Sequence, residues 1–183
     1  MNDASKKQSW QRKTSEVVYE NPWIQVSHDT VITPGGSDGI YGRIHFKNHA
    51  VGILPIDDKQ GTWLVKQTRY PLDCETWEIP EGGSPLGEDP LANAKRELLE
   101  ETGLAAEHWE TWLELQLSNS VSDEVATIFL AKELTQGEMQ LEDTEDIVVR
   151  YLPLKEAIAM VYSGEIVDAM SVAALLKAAT VVN

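Results

Sequence analysis

Short runs rich in β-branched and aromatic residues, separated by turn residues, mark the beginning of the chain. Runs at 16–19, 23–33 and 41–46 predict strands, and the glycine- and proline-containing segment 34–39 predicts a turn between the last two. Neighbouring strands joined by a tight turn pair in antiparallel fashion. The pattern therefore predicts an N-terminal antiparallel strand unit within residues 1–47.

The rest of the chain, residues 48–183, mixes strand and helix patterns. Two apolar runs separated by a short polar turn predict a β-hairpin, at 51–56 and 62–69. Further strands are predicted at 77–79, 109–117, 125–131 and 147–151, and amphipathic helices at 154–162 and 168–179. This order predicts an α/β fold, an α/β/α sandwich with a mixed sheet, that follows the N-terminal strand unit.

The segment between Asp89 and Gly103 carries the clearest helix signals. Asp89 is a good N-cap, Pro90 suits the first helical position, and Gly103 suits a C-terminal cap. At about 100° per residue, three glutamates fall on one face, beside an apolar stripe. The glutamates are Glu97, Glu100 and Glu101, and the stripe is Leu91, Ala94 and Leu98.

Three carboxylates on one helix face repel one another, so they need solvent or a cation. Carboxylate oxygens suit Mg²⁺ or Mn²⁺, and the sequence has no Cys and His cluster that would favour zinc. An acidic, solvated helix face is the alternative interpretation.

Composition and charge narrow the class of protein. The 183 residues, with 42% hydrophobic content, can bury one sizeable core. The formal net charge of −15 disfavours a nucleic-acid or anionic-membrane surface, so neither partner is expected. Cys74 is the only cysteine, and neither an apolar leader nor a membrane-spanning run is visible. These features predict a cytoplasmic protein.

The glutamates lie within a longer fixed spacing over residues 82–104. The run reads glycine, five residues, glutamate, seven residues, and then Arg-Glu-Leu-Leu-Glu-Glu-Thr-Gly-Leu. This pattern resembles the signature of the Nudix hydrolases. Its defined positions are Gly82, Glu88, Arg96, Glu97, Leu98, Glu100, Glu101, Gly103 and Leu104. The resemblance implies a Nudix fold for residues 48–183 and hydrolysis of a diphosphate bond linked to a nucleoside.

Segments outside the signature resemble the ADP-ribose and nucleoside diphosphate sugar pyrophosphatase branch of the family. They are VKQTRYP at 65–71, WEIP at 77–80, EDTEDI at 142–147, and GEI at 164–166 with the helix that follows. This branch implies a homodimer in which the strand unit 1–47 provides the dimer contact and a shelf for the substrate. Asn119 stands where ADP-ribose specialists carry proline, so action on several nucleoside diphosphate sugars, ADP-ribose included, is expected.

The resemblance also implies roles for the acidic residues. Glu97 and Glu101 would bind Mg²⁺ (or Mn²⁺), with Glu100 and the backbone carbonyl of Glu81 as further ligands. Arg96 would serve catalysis by holding a ligating carboxylate in place. Glu145 would supply a further metal ligand or the catalytic base, and Glu142 or Asp143 could contact the attacking water. The alternative for these residues is a solvated acidic loop. Glu88 is expected to be structural.

Substrate contacts are expected from several elements. Arg69, at a strand end, can bind a diphosphate with its guanidinium, and a plain surface arginine is the alternative. Trp23 can stack on a nucleobase or can be a core residue, and Arg43 lies in the same strand unit. Glu78 and Glu124 complete the substrate-binding set. The alternative functions are a house-cleaning nucleoside triphosphate pyrophosphatase and a Nudix-fold sensor that binds nucleotide without cleaving it.

Overall fold

A computed structural model describes residues 9–139 and 146–181 of the chain. The described residues divide into two compact units, one made of residues 9–48 and 116–124 and the other of residues 49–115, 125–139 and 146–181.

The first unit is an antiparallel sheet in the order β1-β2-β3. Its strands are Gln11–Glu20 (β1), Ile24–Ile32 (β2) and Asp38–Phe46 (β3). Every residue of β1 is exposed. Residues 116–124 join this unit through two backbone hydrogen bonds of Ile44, from its N–H to Val121 at 2.8 Å and to its carbonyl from Asp123 at 3.2 Å. The predicted N-terminal antiparallel strands are therefore confirmed.

The second unit contains both strands and helices. Its strands are Asn48–Pro55 (β4), Gly61–Arg69 (β5), Cys74–Glu78 (β6), Glu81–Pro85 (β7), Leu104–Gln116 (β8), Val125–Gln136 (β9) and Val148–Pro153 (β10). Its helices are Pro90–Thr102 (α1), Leu154–Ser163 (α2) and Ala169–Val181 (α3), and a 3₁₀ turn covers Tyr70–Leu72. No helix within residues 9–139 and 146–181 is long and apolar enough to cross a bilayer.

Two sheets are formed by the described strands of this unit. One is a four-stranded mixed sheet in the order β7-β4-β9-β8, in which β4 and β9 run parallel. The other is antiparallel, in the order β10-β5-β6. A core cluster joins α1 to the mixed sheet. It consists of Val51, Ile53, Ala94, Leu98, Leu104, Phe129 and Ala131.

The predicted hairpin of residues 51–56 and 62–69 is wrong. A tight turn does connect the two strands, with the Asp57 N–H donating to the Gly61 carbonyl at 3.0 Å. Beyond a single bridge between Ile56 and Thr62, however, β4 pairs with β7 and β9, while β5 pairs with β6 and β10. Residues 51–56 are all buried, which is typical of a central strand that needs a neighbour on each side.

Candidate active site

Helix α1 begins and ends where its capping residues predict. The Asp89 side chain accepts a hydrogen bond from the Leu91 N–H at 3.1 Å, and Pro90 occupies the first turn. Gly103 has φ of 71° and its N–H donates to the Leu99 carbonyl at 2.8 Å. This register turns Glu97 and Glu101 inward, so that their residues are only 7% and 2% exposed.

The segment 79–82, which we call the site loop, runs from the end of β6 into the first two residues of β7 and lies against α1. The Glu81 N–H donates to Oε2 of Glu101 at 3.1 Å. The Pro80 carbonyl accepts from the Ile53 N–H at 2.8 Å. A Cβ on Gly82 would overlap the carboxyl group of Glu97, so only glycine allows this close approach. The first glycine of the signature therefore brings the loop backbone against the helix carboxylates.

Arg96 links two of the three helix glutamates. Its Nη2 donates to Oε1 of Glu97 at 2.6 Å and its Nη1 donates to Oε2 of Glu100 at 2.5 Å. Burial raises the pKa of Glu97, and the Arg96 charge opposes that shift. We call Arg96, Glu97 and Glu100 the Arg96 cluster. Two carboxylates share one guanidinium, which leaves a net negative charge beside Glu101.

Within the described ranges, no three His, Cys, Asp or Glu side chains converge in the arrangement that a metal ion requires. Arg96 instead holds Glu97 and Glu100. The chemistry of the donors nonetheless suits a hard divalent cation, because buried carboxylates and a backbone carbonyl provide oxygen ligands only. Glu97, Glu100, Glu101 and the Glu81 carbonyl are the groups that could hold it.

A second arginine network lies at the end of β5. Arg69 donates through Nε to Oε1 and Oε2 of Glu78 at 2.9 and 3.1 Å, and its Nη2 also contacts Glu78. The Glu78 carboxylate also accepts hydrogen bonds from Thr76 and, at 3.4 Å, from Gln67. Glu78 is 1% exposed, so it lies beneath Arg69 and acts on its surroundings through that arginine. We call Arg69, Glu78, Thr76 and Gln67 the Arg69 cluster.

The Glu81 side chain bridges the Arg69 cluster and α3. Its Oε2 lies 3.5 Å from Nη2 of Arg69, and its Oε1 accepts a hydrogen bond from Oγ of Ser171 at 3.2 Å. Burial, followed by the negative charge of Asp168, raises the pKa of Glu81 well above its ordinary value. A cavity of about 280 Å³ adjoins this point. It is lined by Arg69, Pro71, Leu72, Thr76, Glu78, Val167 and Asp168.

Three expected substrate residues lie in the first unit. Trp23 is 63% exposed, so the alternative of a buried core tryptophan is wrong. Arg43 lies beside Asp29, with Nε 3.6 Å from Oδ2. Glu124 is half-buried, and burial raises the pKa of its carboxyl group. These positions leave the Trp23 ring and part of the Arg43 side chain accessible on their own unit.

Two expected catalytic residues, Glu142 and Glu145, lie outside the described residues, as does Asp143, the alternative to Glu142. Glu88 accepts a hydrogen bond from Nδ2 of Asn93 at 3.0 Å, which ties the β7–α1 connection to the helix as expected of a structural role.

Sequence reasoning missed Ser171 and Asp168. The available signal was the segment Asp-Ala-Met-Ser at the start of α3, where Asp168 accepts a hydrogen bond from the Ser171 N–H at 2.7 Å. The sequence does not show that this turn meets the site loop, because Ser171 and Ile79 are 92 residues apart.

In a comparison with known protein families, two family models match the chain. Residues 47–173 match the NUDIX domain, and residues 10–44 match the nucleoside diphosphate sugar hydrolase N-terminal domain. Together the two models cover nearly all of the residues that the structure describes.

Individual proteins agree with these models. The chain is 34% identical to an ADP-ribose pyrophosphatase of Mycobacterium tuberculosis over 89% of this chain and 80% of that protein. It is 35% identical to an ADP-ribose pyrophosphatase of Bacillus subtilis over 69% of each. A crystal structure described as an ADP compounds hydrolase matches with a TM-score of 0.84 at 21% identity, over 94% of both chains. This likeness confirms the predicted fold class.

Proposed function

The chain belongs to the Nudix family of hydrolases, as its sequence pattern indicates, and on that premise we propose that it hydrolyses nucleoside diphosphate sugars. Water would attack one phosphorus of the diphosphate, and the products would be a nucleoside monophosphate and a sugar phosphate. ADP-ribose is the first substrate to consider, because both pyrophosphatases described above carry that name.

One observation supports this function most strongly. A complete Nudix signature, with its glutamates packed against the site loop, follows an N-terminal segment that matches the nucleoside diphosphate sugar hydrolase model. A triphosphate pyrophosphatase would share the signature, but its function would not require that N-terminal domain. A sensor that binds nucleotide without cleaving it would not require all three of Glu97, Glu100 and Glu101.

The metal in this proposal is Mg²⁺, with Mn²⁺ as a substitute. Glu97, Glu101, Glu100 and the Glu81 carbonyl would hold it. When bound, divalent ions lower the pKa of the attacking water and stabilise charge on the phosphoryl oxygens. Arg96 keeps Glu97 and Glu100 in place by donating to both.

Arg69 is the proposed contact for the diphosphate. It is 37% exposed on its side chain, and its Nη1 makes no hydrogen bond to any residue that the structure describes. Glu78 holds Nε and Nη2, so the free edge of the guanidinium has a defined direction. Glu78 thereby contributes to substrate binding through Arg69.

The remaining expected roles are part of the same proposal. Trp23 stacks on the nucleobase, which is worth roughly 1 to 3 kcal/mol per base, and Arg43 and Glu124 contact substrate. Glu145 supplies the base or a metal ligand, and Glu142 contacts the attacking water. A cytoplasmic location stays a prediction from the sequence.

We also propose a homodimer that forms through the strand unit 1–47. The support is an unusual surface on β1, where Val17, Val18 and Tyr19 are all exposed and Trp10 precedes them. β1 is an edge strand of the three-stranded sheet, and an exposed edge strand with large apolar side chains can associate with another chain. Light scattering on the purified chain is expected to give twice the monomer mass. A monomer with full activity would refute the dimer role.

The test of function is a substrate panel assayed with Mg²⁺. It compares ADP-ribose, other nucleoside diphosphate sugars, nucleoside triphosphates and dinucleoside polyphosphates, with products separated by ion-exchange chromatography. We expect nucleoside monophosphate and sugar phosphate in equal amounts from the sugar nucleotides. Preferred cleavage of triphosphates would favour the house-cleaning alternative, and tight binding without any cleavage would favour the sensor.

A further inference from the structure

The site loop is also held by a buried serine of α3. Ser171, in the first turn of α3, is 0% exposed. Its Oγ accepts a hydrogen bond from the Ile79 N–H at 2.9 Å and donates one to Oε1 of Glu81 at 3.2 Å. A hydroxyl has only one proton to donate, so this donor is fully used by Glu81.

The position of Ser171 is itself set by the start of α3. Asp168 precedes the helix, and its Oδ2 accepts the Ser171 N–H at 2.7 Å in the manner of an N-cap. Cap, hydroxyl and loop therefore form one chain of hydrogen bonds. Asp168 fixes Ser171, and Ser171 binds Ile79 and Glu81, so the position of the site loop depends on the position of α3.

Glu81 makes hydrogen bonds to both α1 and α3. Its backbone N–H donates to Glu101 of α1, whereas its side chain accepts from Ser171 of α3. Arg69 adds a third contact, 3.5 Å from Oε2. The residue that offers the carbonyl is thus held at its N–H by α1 and at its side chain by α3.

We propose that Ser171 and the Glu81 side chain form a clamp through which α3 positions the site loop for metal binding. This inference rests on the proposed function only in taking the Glu81 carbonyl as a metal ligand. Ser171 is a positioning residue, since it would touch neither metal nor substrate. Loss of the clamp should weaken metal binding and turnover while leaving substrate affinity nearly unchanged.

The main test is Ser171→Ala in the full chain, which removes both hydrogen bonds without adding volume. Outer residues that orient metal ligands typically contribute about 10- to 100-fold to metal affinity or activity. We therefore expect the Mn²⁺ dissociation constant, measured by electron paramagnetic resonance without substrate, to rise at least about tenfold. The Mg²⁺ concentration for half-maximal turnover should rise in parallel, with KM for ADP-ribose changed by no more than about twofold.

Ser163→Ala is the matched control. Ser163 ends α2, and its hydroxyl donates to the Met160 carbonyl at 3.1 Å without contacting the site loop. It should leave the Mn²⁺ dissociation constant unchanged. A folded Ser171→Ala protein with the Mn²⁺ affinity of the unaltered chain would overturn the clamp, even if its melting temperature were lower.

If Ser171→Ala does not fold, two Glu81 variants test the clamp instead. Glu81→Gln keeps an oxygen that can accept from Ser171, whereas Glu81→Ala does not. The clamp predicts a smaller loss of Mn²⁺ affinity for Gln than for Ala, and equal affinities would overturn it.

Failure of the proposed function would look different. The unaltered chain would bind Mn²⁺ but cleave no nucleotide sugar, and the clamp would still be tested by Mn²⁺ binding. Absence of Mn²⁺ binding by the unaltered chain would overturn the metal site and the clamp together.

Discussion

The Arg96 and Arg69 clusters use the same pair of chemical groups in opposite ways. In the Arg96 cluster, one guanidinium that is 42% exposed on its side chain is shared between Glu97 and Glu100. In the Arg69 cluster, one guanidinium covers a carboxylate that is 1% exposed and accepts further hydrogen bonds from Thr76 and Gln67. In the first cluster two carboxylates share one cation at close range, so negative charge is left over. In the second a buried carboxylate is fully hydrogen-bonded, and Glu81 is a more distant second partner of Arg69 at 3.5 Å.

This difference separates chemistry from stability. A carboxylate pair that is only partly neutralised can still attract a cation, so changes there should affect metal binding and turnover. A buried carboxylate whose oxygens are all hydrogen-bonded cannot lose its partner without a large desolvation cost. Changes there should lower the free energy of unfolding, in addition to any effect on the diphosphate contact proposed for Arg69.

The largest effect is expected for Glu101→Gln, beside the Arg96 cluster. The amide oxygen can still accept from the Glu81 N–H, so the fold should persist, but a charged ligand is lost. Metal stabilisation of transition-state charge is worth several kcal/mol, so kcat should fall by about 10³-fold or more. Steady-state kinetics in Mg²⁺ measures the change in kcat.

Glu110→Gln, on the exposed part of β8, is the control and should keep full turnover. Near-normal turnover of Glu101→Gln would contradict the proposal that the carboxylates at the Arg96 cluster bind the catalytic metal.

Arg69→Met is the next test, and it addresses stability. Removing one partner of a buried ion pair costs 3 to 5 kcal/mol, and we expect about 3 kcal/mol because Arg69 is partly exposed. Urea unfolding would measure the change. Adding Glu78→Gln to the same protein should recover part of the loss, since no buried charge then remains unpaired.

Lys13→Met is the control for that experiment. Lys13 pairs with Asp38 at 2.7 Å, but both side chains are largely exposed. Such pairs contribute about 1 kcal/mol or less, so the unfolding midpoint should barely move. Equal destabilisation by Arg69→Met and Lys13→Met would show that the Arg69 cluster is an ordinary surface pair.

The smallest effect is expected for Arg96→Lys. Lysine keeps the charge but cannot donate to Glu97 and Glu100 in the same fixed geometry. Stability should change by about 0.5 kcal/mol or less, while the Mn²⁺ dissociation constant should rise by about tenfold. Isothermal titration with Mn²⁺ alongside urea unfolding separates the two quantities. If stability falls as far as in Arg69→Met, the two clusters do not differ in the way described.

Helix α1 shows how much of the site could be predicted from the sequence. Its start at Asp89, its end at Gly103 and the shared face of Glu97 and Glu101 all follow from local rules, whereas the burial of the two glutamates is seen only in the structure. Caps act within one turn and helical periodicity within a few residues, so no distant partner is needed to predict them. The family resemblance depends on the same segment, which is why it could be recognised before the fold was known.

Strand pairing could not be predicted in the same way. The pattern of residues 51–56 and 62–69 identified two strands and the turn between them, but the two strands entered different sheets. A hydrophobic run shows that a strand is buried and does not show which strand lies beside it. β7 was missed for a related reason, because its Glu-Gly-Gly-Ser-Pro sequence is typical of a loop.

By itself, the sequence determined the acidic helix, its caps and the presence of an antiparallel strand unit, since these depend on residues close together in the chain. Only the tertiary structure decided that Ser171 meets Ile79 and Glu81, and that Glu78 lies buried beneath Arg69. Such contacts depend on how sheets and helices pack, and the free energy of that packing is shared among residues far apart in sequence.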